Sequence, residues 1–169
     1  AGAAVMDNGR VLHASQDDIH VLRFVGNVRY TLSPSIERYL DEVFDDQGPA
    51  GFVIDLTETD SIDSTNLGLL VRIARRMQEP GKHRITIVSN RPEIKSILVS
   101  MALDEVFDIV EDTGADAGEA REVPQEGVDR ESLSRTLIDA HRALMDLSEH
   151  NREMFRDVVE SLERNSSGE

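Results

Sequence analysis

The sequence contains no cysteine and no tryptophan. Without cysteine there is no disulfide scaffold, no thiolate zinc site and no cysteine nucleophile. Aromatic residues amount to 4%, which leaves little to stack on bases or sugars. Positive charge is scarce too: 18 Lys+Arg stand against 33 Asp+Glu, a formal net charge of −15. A chain this acidic lacks the basic face that displaces phosphate counterions, so neither nucleic acid nor an anionic membrane is an expected partner. No apolar run approaches the roughly 20 residues that cross a bilayer. No basic stretch leads into an apolar one near the start, so no secretory leader is expected. Ala1 to Val5 read as vector-derived residues ahead of a start at Met6. The expectation is a soluble, cytoplasmic protein. Its 39% of apolar residues suffices for a core. Its 169 residues are the length of one domain with an appended element.

Signals for catalysis are also missing. There is no Gly-rich phosphate loop and no Gly-x-Ser-x-Gly elbow. The histidines at 13, 20, 83, 141 and 150 show no metal-ligand spacing. Glu58, Asp60 and Asp63 read as ordinary acids around a helix start rather than a magnesium site. No catalytic residue, metal or cofactor is expected.

The pattern that is present alternates strands and helices. Gly9 to His13 reads as a short edge strand, and Ile19 to Val25 as a strand closed by Gly26. Ser33-Pro34 opens a helix, with Ser33 as cap, and Gln47-Gly48-Pro49 stops it. Gly51 to Leu56 is a nearly continuous apolar run, as for a buried parallel strand. Leu67 to Met77 is helical. Arg84 to Val88 is a β-branched strand, Arg91-Pro92 opens another helix, and Val106 to Val110 is a last strand. Such βαβ alternation predicts an α/β fold with a mixed, mostly parallel sheet.

The most informative stretch is Phe52-Val-Ile-Asp-Leu followed by Ile62-Asp63-Ser64-Thr65-Asn66-Leu67-Gly68. It reads as a buried strand, a polar turn and a helix start. Either Asp63 or Ser64 can cap the helix, since both carry an oxygen that accepts from first-turn N–H groups. Gly68 permits a neighbouring element to approach closely. A hydroxyl at a helix N-terminus is also a favourable place for a phosphate, whose charge of about −1.5 to −2 the helix dipole stabilises.

This run resembles the hallmark of STAS domains, the anti-sigma factor antagonist family: a hydrophobic strand, a spacer, then Asp-Ser-Ser/Thr-Gly-Leu-Gly. The element order matches that fold over residues 6–112, as do Arg91-Pro92-Glu93-Ile94 and the later Leu98, Met101-Ala102-Leu103 and Val106-Phe107. The resemblance implies bacterial partner switching in transcription regulation, in pathways governing biofilm, motility or stress. It implies that Ser64, with Thr65 as alternative, is phosphorylated by a serine kinase that doubles as the anti-sigma factor. A PP2C-type phosphatase would reverse the step, and the unphosphorylated form would bind the kinase or anti-sigma factor. Asp63, Ile62, Asn66 and Leu67 are the expected partner-binding residues. The alternative implied by the family is a non-switching scaffold subunit, as in stressosomes or lipid-transport complexes. Two positions depart from the hallmark. Asn66 stands where Gly is usual, and asparagine tolerates unusual backbone angles better than most residues. Gly26-Asn27-Val28-Arg29 replaces a Gly-x-Leu-Asp motif, so Arg29 either pairs with a Ser64 phosphate or is a solvated loop charge.

Residues 113–128 read as an acidic linker, because the run 111–127 holds six acidic residues, three Gly and a Pro. Leu133, Leu137, Ala140, Leu144, Leu147, Asn151, Met154 and Val158 then follow at spacings of four and three. That heptad seam predicts one long amphipathic helix over 129–164, with a polar tail at 165–169. Its length would be roughly 50 Å, beyond the width of a domain of about 100 residues. The seam through Leu137, Leu144, Leu147, Asn151, Met154 and Val158 therefore packs on its own sheet, on a second copy or on a partner helix.

Overall fold

The computed structural model describes residues 9–44, 48–77, 84–112, 120–125 and 129–166. Seven strands and five α-helices are found among them: β1 Arg10–Gln16, β2 Ile19–Val28, α1 Ser33–Val43, β3 Gly51–Asp55, β4 Thr59–Ile62, α2 Ser64–Arg76, β5 Ile85–Val88, α3 Pro92–Ser100, β6 Phe107–Val110, β7 Arg121–Glu122, α4 Arg130–Met145 and α5 Glu149–Ser166. The strand order is β6-β5-β3-β2-β1-β7, with β4 also on β2. Pairings from β6 to β2, and β4 with β2, are parallel; β1 runs antiparallel to both β2 and β7. This is the mixed, mostly parallel sheet that the alternation of elements predicts.

Side chains alternate along the strands. In β2, Leu22, Phe24 and Val28 are buried, while Val21, Arg23 and Val25 between them are only partly covered. In β3, Phe52 and Ile54 face the core and Val53 and Asp55 do not. One face of the sheet thus carries the core, and β3 is not the doubly buried strand its apolar run suggests. On the other face, Arg23 Nε donates to Asp55 Oδ2 at 3.1 Å.

Four local expectations are corrected. Gly26 does not close β2: its φ of 79° makes a bulge, after which the strand leaves β3 and continues along β4 to Val28. Ser33 does not cap α1, because a 3₁₀ turn over Tyr30–Leu32 feeds straight into the helix and the Ser33 hydroxyl donates back to the Tyr30 carbonyl. β1 is longer than Gly9 to His13 and is not an edge, since β7 pairs along it. β7 itself, with the buried Val123 beside it, lies inside the segment expected to be linker. The linker positions 113–119 and 126–128 lie outside the described residues.

The C-terminal segment is helical but not continuous. It breaks at Asp146–Ser148 and folds back as an antiparallel pair, α4 and α5. Ser148 Oγ accepts from the Asn151 N–H at 3.0 Å, which caps the new helix. Asn151, fully buried, donates from Nδ2 to the Leu144 carbonyl at 2.9 Å and to the Met101 carbonyl at 2.7 Å. One side chain thus ties α5 to α4 and to the end of α3. The other positions of the seam divide. Leu144 is buried, Leu137 and Leu147 are partly covered, and Met154 and Val158 remain exposed.

Candidate functional site

Three hydrogen bonds build the start of α2. Asp63 has extended backbone and sits at the N-cap; its Oδ1 accepts from the Asn66 N–H at 3.0 Å. The Asp63 N–H donates to the Val28 carbonyl at 3.1 Å, fastening the cap to the end of β2. Asn66 Nδ2 adds a second bond to Asp63 Oδ1 at 2.9 Å. Asp63, not Ser64, is therefore the cap. Asn66 has no positive φ, so this position demands no glycine, and its amide reinforces the cap instead.

Ser64 is the first residue of α2 and is partly exposed, whereas Thr65 is 3% exposed. Between the two hydroxyls, only that of Ser64 is reachable. Its Oγ lies 2.8 Å from His141 Nε2, on α4. His141 Nδ1 lies 2.7 Å from the Leu137 carbonyl. That carbonyl can only accept, so Nδ1 carries the proton. The other ring nitrogen, Nε2, thus faces the Ser64 hydroxyl, and in the uncharged ring it accepts from that hydroxyl. The ring is buried, with Phe155 of α5 tilted against it at 5.1 Å between centroids.

α4 reaches this position because Gly68 lets it. A Cβ built on Gly68 would stand 2.0 Å from the Ala140 carbonyl oxygen. The two helices cross with backbone against backbone. Ser64, Gly68 and Arg75 share one stripe of α2: Ser64 meets His141 and Gly68 meets Ala140 of α4, and Arg75 Nη2 lies 2.8 Å from Asp146, which ends α4. Glu37 of α1 completes the seat, accepting from Thr136 Oγ1 at 2.6 Å and pairing with Arg72.

The remaining expected site residues separate. Ile62, Asn66 and Leu67 are at most 6% exposed. They form the floor and packing of α2 and offer no docking surface in this arrangement, because α2 is covered on both sides. Arg29 is exposed and follows directly on the Val28 that holds Asp63; no described residue pairs with its guanidinium. Asp63 is partly exposed beside it. The neighbouring acids face different cations: Glu58 lies 3.5 Å from Arg23 and Asp60 2.7 Å from Arg91.

Sequence reading missed two parts of the site. The first is β4, whose run Thr-Asp-Ser-Ile reads as a turn. Thr59 Oγ1 donates to the Phe24 carbonyl at 2.7 Å, and Arg91 Nη1 donates to the Thr59 carbonyl at 2.8 Å. Its two β-branched ends, both buried, were the available signal. The second is His141. It directly follows the seam residue Ala140, four residues after Leu137 and three before Leu144, a polar residue at the margin of the apolar stripe.

Comparison with known proteins places this geometry. A family model described as STAS domain matches residues 12–117. Among solved structures, the chain is similar to the crystal structure of an anti-sigma factor antagonist from Mycobacterium paratuberculosis. The two share 21% identity at a TM-score of 0.54, over 63% of this chain and 88% of the other. No curated protein matches. Ser64 lies inside the matched segment, and His141 lies beyond it.

Proposed function

This chain belongs to the STAS domain family, and from that membership we propose that it is an anti-sigma factor antagonist that exchanges partners according to the phosphorylation of Ser64. The observation that carries the reading is the placing of Ser64. It is the first residue of α2, beside the Asp63 cap, with its hydroxyl at a partly open surface. A serine kinase that is itself the anti-sigma factor transfers the phosphoryl group, and a PP2C-type phosphatase removes it. The unphosphorylated form holds the kinase or anti-sigma factor. Phosphate adds about two negative charges next to Asp63, which raises the cost of desolvating that surface against a partner. Asp63, next to the serine, and the exposed Arg29, which follows the Val28 that holds Asp63, are the contact residues of this reading. The chain itself performs no catalysis.

The test is a differential pull-down from bacterial cytoplasm with wild type, Ser64→Ala and Ser64→Glu as baits. One partner kept by wild type and Ser64→Ala but lost by Ser64→Glu supports the switch. Identical recoveries from all three overturn it and favour a non-switching scaffold subunit.

A further inference from the structure

We propose that the α4–α5 hairpin is the moving part of the switch, and that His141 senses whether Ser64 is modified. This deepens the reading of Ser64 as the phosphorylated residue and rests on it.

His141 Nδ1–H is committed to the Leu137 carbonyl, and in the uncharged ring Nε2 accepts from the Ser64 hydroxyl. Phosphorylation replaces the single proton that Ser64 donates with a phosphoryl group. The Ser64 O–H bond is broken and an O–P bond is formed with the γ-phosphoryl of a nucleoside triphosphate; the diphosphate and the proton leave. Oγ and the oxygens of the phosphate dianion, the main form at neutral pH, can then only accept. Two acceptors face each other where one bond stood. With 2.8 Å between Oγ and Nε2, phosphorus cannot take the proton's place on that line.

The surroundings give no room to adjust. α4 cannot slide towards α2, since backbone already meets backbone at Gly68 and Ala140. His141 is 5% exposed and backed by Phe155. Packed interfaces of this kind respond by changing between discrete arrangements rather than by stretching. The change available is release of α4 from α2. α5 goes with it, through Asn151 and the contact of Phe155 with His141. In the unmodified chain the hairpin is seated, and the surface shown to a partner combines the start of α2 with α4–α5. Modification dismantles that surface, in addition to charging it.

The experiment is amide hydrogen exchange, read by mass spectrometry, on the full chain with phosphoserine installed at position 64 during translation. The expected result is exchange across α4 accelerated at least fiftyfold, while β3 and β5 keep their protection. Ser64→Ala, which removes the donated proton without adding charge, is expected to accelerate α4 about fivefold, the loss of one ordinary hydrogen bond. Exchange in α4 that is unchanged or slower with phosphoserine overturns the proposal; it would mean that the phosphate pairs with His141 and locks the hairpin. Should the phosphoserine chain lose protection in the sheet as well, Ser64→Glu is read the same way, and unchanged α4 exchange there also overturns it. The pull-down is independent of this measurement. Protected α4 alongside a differential pull-down removes the hairpin mechanism and leaves partner switching standing.

Discussion

Gly68 and the carbonyl of Ala140 lie so close that a methyl group on the glycine would stand 2.0 Å from the oxygen. The obstacle is backbone, so no side chain can rotate out of the way. Alanine in place of glycine gains about 1 kcal/mol of helix propensity, but overpacking costs about 1–3 kcal/mol and more where nothing yields. The clash wins. Gly68→Ala is expected to lower stability by about 1–2 kcal/mol in urea unfolding and to loosen α4 ahead of the sheet. A variant more stable than wild type would contradict the packing described.

Asp63 is a second point of leverage. As N-cap with two bonds from Asn66, it supports the first turn of α2. Asp63→Ala is expected to cost about 1–2 kcal/mol. Asp63→Ser retains a capping oxygen and should recover most of that loss. If both variants weaken capture of a partner equally, the carboxylate is itself a contact; if only the alanine does, the cap acts through structure.

Acid should destabilise the fold through His13. Its pKa is lowered, first by burial and then by His20, whose ring stacks on it with Nδ1 2.9 Å from His13 Nε2. Tyr39 and the Asp18–His20 pair complete the surroundings. A histidine with a depressed folded pKa binds its proton more readily when unfolded, so stability is full above the unfolded value of about 6.5 and falls as pH drops below it. Thermal unfolding of wild type and His13→Gln should run parallel above pH 7. Below about 6.5 the wild type should lose stability faster, and equal slopes would exclude His13 as the cause.

Asn151 stitches α5 to two carbonyls with a single amide group. Asn151→Ala removes the donor to the Met101 carbonyl, at about 1–3 kcal/mol, while the Leu144 carbonyl keeps the Leu147 N–H at 3.1 Å. Loss of Asn151 should fray α5 in hydrogen exchange before the sheet responds. Met154 and Val158, by contrast, are exposed. Met154→Lys with Val158→Lys is expected to change stability by no more than about 0.5 kcal/mol and to leave the sedimenting mass unaltered. A fall in mass would show instead that this stripe joins two copies.

The parts that were legible in the sequence were those whose burial pattern is local. β2, β3, β5 and the motif from Ile62 to Gly68 announce themselves through β-branched runs and a capping carboxylate. β7 did not, because two residues in an acidic run carry no periodicity; only pairing with β1 makes them a strand. The helix break was hidden for a different reason. Leu144, Leu147 and Asn151 keep the spacing of a continuous seam straight across the turn, since a helical pair folded on itself also needs one apolar stripe per helix. What reveals the turn is the Ser148 cap and the meeting of Asn151 with the Leu144 carbonyl, which are tertiary facts. The bond from Ser64 to His141 spans 77 positions, and no spacing rule reaches that far.

That separation also has a meaning in time. Ribosomes extend a chain at about 5–20 residues per second, which sets roughly 4–15 s between the emergence of Ser64 and that of its histidine. For that interval the nascent chain has its serine, and soon most of its sheet, but nothing to lay over them. Each molecule is therefore born with Ser64 uncovered and acquires its cover last. A modifying enzyme that works beside the ribosome meets a freely accessible hydroxyl. One that works on finished protein meets a hydroxyl already spoken for.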